Sequence, residues 1–232
     1  MVYVTGDIHG DEERLSKSAL KALDDDDTLV ICGDFGFIWN SDKREEKILN
    51  SFAKRKYNIC FVDGTHENFA ALGEYPQKEW HGGKVHEIRH NVYHLMRGQL
   101  FEIDGLTIFT MGGGESPDID VRAESAAWSR DEIPTQAELM EGAEKLDKVG
   151  CRVDVIITHE PPSRIKSFLK LGESTQIRVT ALNTYFDELS ESCDFTRWFF
   201  GSLHMDKYIS GTHTCVFKEL VNAHTGERVK RK

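Results

Sequence analysis

LVICGDFG, Leu29 to Gly36, is a run of apolar residues that stops at a glycine and an aspartate. A short apolar run with no polar alternation, closed by turn residues, reads as a strand buried on both faces. Downstream, Ile48, Leu49, Phe52 and Ala53 mark one face of a helix opening near Ser41. The same unit stands on either side. Val2 to Val4 ends at Thr5-Gly6, and residues 11–23, DEERLSKSALKAL, place Leu15, Ala19, Leu20 and Leu23 at helical spacing with acids in the first turn. Ile59 to Val62 ends at Asp63-Gly64. Repeated alternation of apolar strands and amphipathic helices predicts an α/β fold with a parallel sheet covered on both faces.

The middle of the chain has a different rhythm. Val85 to Ile88, Val92 to Met96, Leu100 to Ile103 and Leu106 to Met111 are short strand-like runs, and Asp104-Gly105 is a hairpin-turn signal. A second sheet is expected there. Residues Pro134 to Gly150 predict a helix with a Thr135/Glu138 capping box and a terminal glycine. Val153 to Ile157 and Trp198 to Phe200 restore the buried-strand pattern, so RWFF, Arg197 to Phe200, reads as core rather than as a base-stacking platform.

The chain has 232 residues with 39% hydrophobic and 29% charged, which suits a soluble globular protein and one domain over 1–232. No apolar run approaches the roughly 20 residues that cross a bilayer. The start, MVYVTGDIHG, lacks the basic and apolar regions of a secretory signal, and a cytoplasmic location is expected. Five scattered cysteines without a CxxC suit a reducing compartment. A net charge of −10 argues against electrostatic capture of nucleic acid. The bases Arg164, Lys166, Lys170 and Arg178 read as a solvated helix face, RVKRK as a frayed tail, and Asp24 to Asp27 as a solvated turn.

Ligands in open α/β sheets gather at the carboxyl ends of strands. Apolar runs here end in GDIHG (Gly6 to Gly10), GDFG (Gly33 to Gly36), GTHE (Gly64 to Glu67), THEPP (Thr158 to Pro162) and GSLH (Gly201 to His204). If those strands are neighbours, Asp7, His9, Asp34, His66, His159 and His204 share a small volume. Mixed carboxylate and imidazole groups suit Mn²⁺, Fe or Zn²⁺, and the absence of thiolates argues against a structural zinc site. MGGGESPD, Met111 to Asp118, offers either a plain turn or backbone amides for a bound phosphate. Arg122, Trp128 and Arg130 lie in an insertion where specificity is commonly set.

In that order the motifs resemble those of the calcineurin-like metallophosphoesterases, which read GDxH, GD, GNH[ED], a later histidine and GHxH. The resemblance covers Met1 to Tyr208, and GDIHG with GxHE is most similar to the serine/threonine phosphatase branch. It implies two mixed β-sheets sandwiched between helices, with a two-metal site at one edge. It further implies that Asp7, His9 and His204 hold a first metal, that Asp34 bridges to a second, and that His159 ligates the second. His66 matches the histidine that stabilises the transition state and protonates the leaving oxygen, and Glu67 orients its loop.

Two positions depart from the pattern, both on the second metal. Thr65 replaces the asparagine of GNHE, and Ser202 replaces the first histidine of GHxH. A hydroxyl coordinates hard cations such as Mg²⁺ or Mn²⁺ but is a poorer partner than imidazole for borderline metals. Three readings stay open: a weaker or harder second ion, a one-metal centre, or a binding pocket with impaired catalysis. A plainer alternative is that Thr65 and Ser202 satisfy backbone groups in turns, as Thr and Ser often do. The expected activity is hydrolysis of a phosphomonoester, on a small molecule or a phosphoprotein. Alternatives are a nucleotide phosphodiesterase and a pseudo-phosphatase that binds a phosphorylated partner.

Overall fold

The structure is a computed structural model that describes residues 1–232 apart from 17, 19, 117–118, 120–127, 170, 172–177 and 230–232. Its first half lays down β1 (Val2–Thr5), β2 (Thr28–Cys32), α1 (Lys43–Phe52), β3 (Asn58–Val62), α2 (Phe69–Gly73), β4 (Gln77–Trp80), β5 (Gly83–Arg89) and β6 (Val92–Leu95). Then follow β7 (Gln99–Ile103), β8 (Leu106–Met111), a 3₁₀ turn (Arg130–Glu132), α3 (Gln136–Lys148), β9 (Arg152–Thr158), α4 (Ser163–Leu169), α5 (Ala181–Ser192) and β10 (Asp194–Phe200). The chain closes with β11 (Lys207–Tyr208), β12 (His213–Cys215) and β13 (Val221–Asn222).

These strands form two mixed sheets, ordered β13-β1-β2-β3-β6-β5-β4 and β11-β12-β10-β9-β8-β7. Each has a parallel centre: β1, β2, β3 and β6 in the first, and β12, β10, β9 and β8 in the second. Alternation along the strands then divides the apolar residues three ways. Val2, Val4, Val30, Cys32 and Val62 meet Ile108, Val155, Ile157 and Phe199 between the sheets. Tyr3, Leu29, Ile31, Ile59 and Phe61 face Leu49 and Phe52 of α1, while Ile156, Trp198 and Phe200 face Leu146, Leu182, Phe186 and Leu189 of α3 and α5. The result is four layers, helix on sheet on sheet on helix, and it explains why the central strands are apolar without alternation.

Several expectations are met in detail. Thr135 and Glu138 form the capping box of α3, and Gly150 closes it in the left-handed region. Asp104 and Gly105 both take positive φ in the β7–β8 hairpin, as a tight two-residue turn requires. RWFF is strand, with Trp198, Phe199 and Phe200 all fully buried.

Others are corrected. The described residues of 11–23 form turns rather than a regular helix, closed by bonds such as Ser16 to Glu13 and Leu23 to Leu20, both 3.1 Å. The cause lies at Arg14, whose guanidinium reaches back to the carbonyls of Asp7, Gly6 and Phe217 and holds the segment against the β1 exit. Leu15, Leu20 and Leu23 are still buried, so the periodicity reported burial correctly and conformation incorrectly. Ala19 lies outside the described residues. The strand-rich middle is split: β5 and β6 extend the first sheet, and only β7 and β8 belong to the second. Asp27 is buried and accepts from the Met1 amine at 2.5 Å, so the acidic turn is not wholly solvated.

Lys166 is buried too, as is Glu160, and the two meet at 2.6 Å. Asn183 of α5 completes the cluster by donating to Glu160 at 3.0 Å and to the Pro161 carbonyl at 2.9 Å. Arg164 pairs with Glu191 and Arg178 with Glu115, while Lys170 and the terminal KRK lie outside the described residues. No helix among the described residues is long and apolar enough to cross a membrane.

Candidate metal centre

The parallel centres of both sheets point their carboxyl ends toward one edge, and the loops leaving β1, β2, β3, β9 and β10 meet there. Backbone contact is close because glycines stand at the crossings. A β-carbon on Gly64 would lie 2.0 Å from Asp34 Oδ1, and one on Gly201 would lie 2.2 Å from Asp7 Oδ1. Both distances are impossible for any other residue, so each glycine is required by the side chain it admits.

Asp7, fully buried, stands at the centre. His204 Nε2 is 3.0 Å from Asp7 Oδ2, His9 Nε2 is 3.0 Å from His204 Nε2, and His159 Nδ1 is 3.5 Å from Asp7 Oδ1. Asp34 joins from β2, with His9 Nε2 at 3.6 Å, His159 Nε2 at 3.9 Å and His66 Nδ1 at 3.2 Å. Two sets of ligand atoms lie within 4.8 Å of one another: Asp7, His9 and His204, and Asp7, Asp34 and His159. His9, Asp34 and His204 all adopt positive φ, between 48° and 52°. A non-glycine residue rarely does so, and such positions cluster at functional sites.

The donor set fits divalent cations. Among the described residues, neither Asp7 oxygen has a hydrogen bond of good geometry, and neither does the buried Ser202 Oγ. Buried oxygens without well-aligned donors are costly, and a cation would satisfy them. His159 donates from Nδ1 to the Cys32 carbonyl at 3.0 Å, which leaves Nε2 for a ligand on the Asp34 side. The charges agree. Burial alone would raise the Asp34 pKa, yet the charge of His159 and the hydrogen bonds from His66 hold this carboxyl below the usual range. Burial works against a charged His159, but Asp34 and Asp7 outweigh it and hold that ring well above its ordinary value. Burial lowers the His9 pKa, while the Asp7 carboxylate beside His204 raises that of His204.

His159 and His204 therefore compete for protons with any cation they bind. Calorimetric titration of Mn²⁺ near pH 7, in two buffers of different ionisation enthalpy, should show net proton release. Binding without release would remove His159 from the ligand set.

The β3 loop supplies the rest. His66, half exposed, donates its backbone amide to Asp34 Oδ1 at 2.8 Å, and its Nδ1 lies 3.0 Å from Thr65 Oγ1. Glu67 is buried and accepts from the Phe35 amide at 2.8 Å, which ties this loop to the residue after Asp34. Burial, with Asp34 nearby, pushes the Glu67 carboxyl up to about 8. Ser202 sits at the β10 exit with its amide on the His159 carbonyl at 3.1 Å.

These strand ends agree with the wider likeness of the sequence, for the profile of the calcineurin-like phosphoesterases matches residues 1–211. The chain belongs to that family. Calcineurin-like phosphoesterases are metal-dependent hydrolases, and the two mixed sheets of this one are consistent with the family fold. The crystal structure of TT1561 from Thermus thermophilus superposes with a TM-score of 0.59 at 11% identity, over 100% of this chain and 98% of that one. The phosphopantetheinyl hydrolase PptH from Mycobacterium tuberculosis gives a TM-score of 0.43 at 13% identity, over 93% and 89%. No curated protein sequence matches the chain.

Residues 112–116 of the glycine-rich segment after β8 are irregular backbone bonded to neighbouring loops. The Gly113 amide donates to the Asp63 carbonyl and the Gly114 amide to the Glu132 carbonyl, both at 2.8 Å, and Ser116 donates to Glu132 Oε1 at 3.0 Å. Those amides are committed to the protein rather than offered to a phosphate. Trp128 donates to Glu132 Oε1 at 2.8 Å, Arg130 belongs to the 3₁₀ turn, and Arg122 with residues 117–118 lies outside the described residues. Sequence reading missed Asp63 and Arg97, which meet at 2.6 Å in a buried pair beneath the β3 loop. The one available signal was an aspartate continuing an apolar run, at Val62-Asp63.

Proposed function

We propose that this calcineurin-like phosphoesterase hydrolyses a phosphomonoester, on a small molecule or a phosphoprotein, in the manner of the serine/threonine phosphatase branch, with residues 1–232 acting as one unit. The convergence of Asp7, His9, Asp34, His159 and His204 on one sheet edge, with His66 against Asp34, carries this reading. Asp7, His9 and His204 would hold one divalent ion, and Asp34 with His159 would hold a second, Mn²⁺, Fe or Zn²⁺ being best matched and Mg²⁺ admissible. Cations held there would polarise phosphoryl oxygens and lower the pKa of bound water toward about 7. Asp34 holds His66 through Nδ1, so Nε2 is the atom placed to deliver a proton to the leaving oxygen. Glu67 keeps the His66 loop in register with Asp34 through the Phe35 amide.

A centre weak in its second ion is the variant reading, and it extends to a pseudo-phosphatase that only binds phosphorylated partners. It is favoured by Thr65, whose hydroxyl faces the His66 ring, where an amide oxygen would be a stronger ligand. The experiment is metal content of the purified protein beside hydrolysis of monoester and diester test substrates with added Mn²⁺. Monoester turnover is expected to exceed diester turnover, whereas diester preference would favour the nucleotide phosphodiesterase. No turnover with any divalent ion would eliminate both. Thr65→Asn with Ser202→His is expected to raise affinity for the second ion by at least about tenfold, the scale on which even supporting partners act. An unchanged titration curve would clear those two positions of the defect.

A further inference from the structure

Asp63 sits at the end of β3, just ahead of Gly64-Thr65-His66, and its carboxylate is 1% exposed. Hydrogen bonds from three residues converge on it. Arg97 donates from Nε at 2.9 Å and from Nη2 at 2.6 Å to Oδ2, and His94 Nε2 lies 3.1 Å from Oδ1. The Asp63 carbonyl accepts from Gly113 at 2.8 Å. Arg97 in turn reaches the Asp131 carbonyl at 2.6 Å and Glu138 at 3.3 Å. Asp63 therefore couples the first sheet, through β3 and β6, to the β8 exit and the start of α3.

With the His94 and His86 rings both neutral, one assignment of protons satisfies its support. His94 donates from Nε2 to Asp63, and its Nδ1 then accepts. His86 Nδ1 stands 2.9 Å away and donates, which leaves His86 Nε2 to accept from Gln77 at 3.3 Å. The two rings lie within 3° of parallel with centroids 5.2 Å apart. With the nitrogens so much closer than the centroids, the rings lie side by side in one plane, the arrangement of a straight hydrogen bond. Every member is satisfied, and a fully satisfied buried network is rigid. A cavity of about 240 Å³ lies against it, bordered by α2, His86, Met96 and Thr135.

Packing passes that rigidity to the reacting loop. A β-carbon on Gly112 would fall 2.3 Å from Asp63 Oδ1, and one on Gly114 would fall 2.9 Å from the Thr65 methyl and 3.0 Å from Glu160 Cγ. Gly64 is pressed on Asp34 in the same way. We infer that Asp63, gripped by Arg97 and His94, is a positioning residue that sets Thr65 and His66 against Asp34 and the β9 exit. The catalytic part of this role rests on the phosphoesterase reading above; the structural part does not.

The test uses the full chain and three variants. Asp63→Asn keeps the shape and loses the charge, Arg97→Lys keeps the charge and loses the planar fork, and Gly112→Ala crowds Asp63 from the opposite side. Hydrogen exchange is followed by mass spectrometry in EDTA, over residues 64–68 and over β2 and β9, and kcat and KM are measured with Mn²⁺. Exchange at 64–68 should rise about tenfold or more while β2 and β9 stay protected. In active protein, kcat should fall about tenfold with KM within roughly twofold, since small misplacements act on the reaction more than on binding. Unchanged exchange at 64–68 in variants that remain folded overturns the inference, as does a freed loop with unchanged kcat. Should wild-type protein hydrolyse nothing, the exchange result still decides the positioning claim, and only the proposed function fails.

Discussion

Asp34→Asn should cost hydrolysis a factor on the order of 10²–10³, the range seen when one preorganised electrostatic group is removed from a reacting centre. Asp34 serves three neighbours at once: His9 at 3.6 Å, His159 at 3.9 Å and His66 at 3.2 Å. Asparagine preserves the shape while removing the charge that His9, His159 and His66 share, and it takes a carboxylate out of the set Asp7, Asp34 and His159. Its amide would also turn a donor toward one of these groups. Affinity for added Mn²⁺ should fall in parallel, while far-ultraviolet circular dichroism stays unchanged. The control is Glu45→Gln, on exposed α1, whose carboxylate accepts from the Trp39, Asn40 and Ser41 amides; it should leave turnover within about twofold. Wild-type turnover in Asp34→Asn would mean that the chemistry takes place elsewhere.

Lys166→Met should destabilise the protein by about 3–5 kcal/mol at pH 7, because it strands the Glu160 carboxylate in the interior. The pair stands at 2.6 Å with side chains 10% and 7% exposed, so the small worth of a surface ion pair does not apply. Burial alone would raise the Glu160 pKa, but Lys166 and His159 outweigh it and hold the carboxyl below its usual value. A depressed carboxyl adds stability above its unfolded pKa, about 4.3, and loses it as pH falls through the lower folded value. Wild type should therefore weaken in acid, and the gap to Lys166→Met should narrow there. Urea denaturation at pH 7 and pH 4 measures both. Glu160→Leu combined with Lys166→Met should recover most of the loss, since a buried pair is replaceable by apolar groups when both partners go. A single-variant loss below about 1 kcal/mol would place the pair among solvated ones.

The two predictions fall on opposite sides of what the sequence discloses. Asp34 was legible because a strand apolar on both faces must end where the chain turns polar, and the turn residues there carry the carboxylates and imidazoles that the structure brings together. The same logic exposed Asp7, His9, His66, His159 and His204, since each follows such a strand within a few residues. Lys166 was not legible, for a lysine among serines looks solvated until β9, α4 and α5 are brought together around Glu160 and Asn183. Asp63 was hidden likewise: its partners His94 and Arg97 come from β6 and its exit, and no local signal reports the place of that strand in the first sheet. Residues 11–23 misled for another reason. Apolar spacing records which side chains turn inward, and a string of turns anchored by Arg14 satisfies it as well as a helix does. The hairpin at Asp104-Gly105 was plain, but a turn signal does not say which sheet the hairpin joins.

The left-handed backbone at His9, Asp34 and His204 also bears on how such a chain persists. An L-residue held in that conformation costs about 1–2 kcal/mol, less for aspartate, and glycine at the same position removes the cost. At the exposed His9 and His204, glycine variants should therefore lose metal yet be no less stable, and a lineage drifting under selection for folding alone would move toward them. This chain carries histidine, aspartate and histidine instead, each with its side chain in the candidate metal centre.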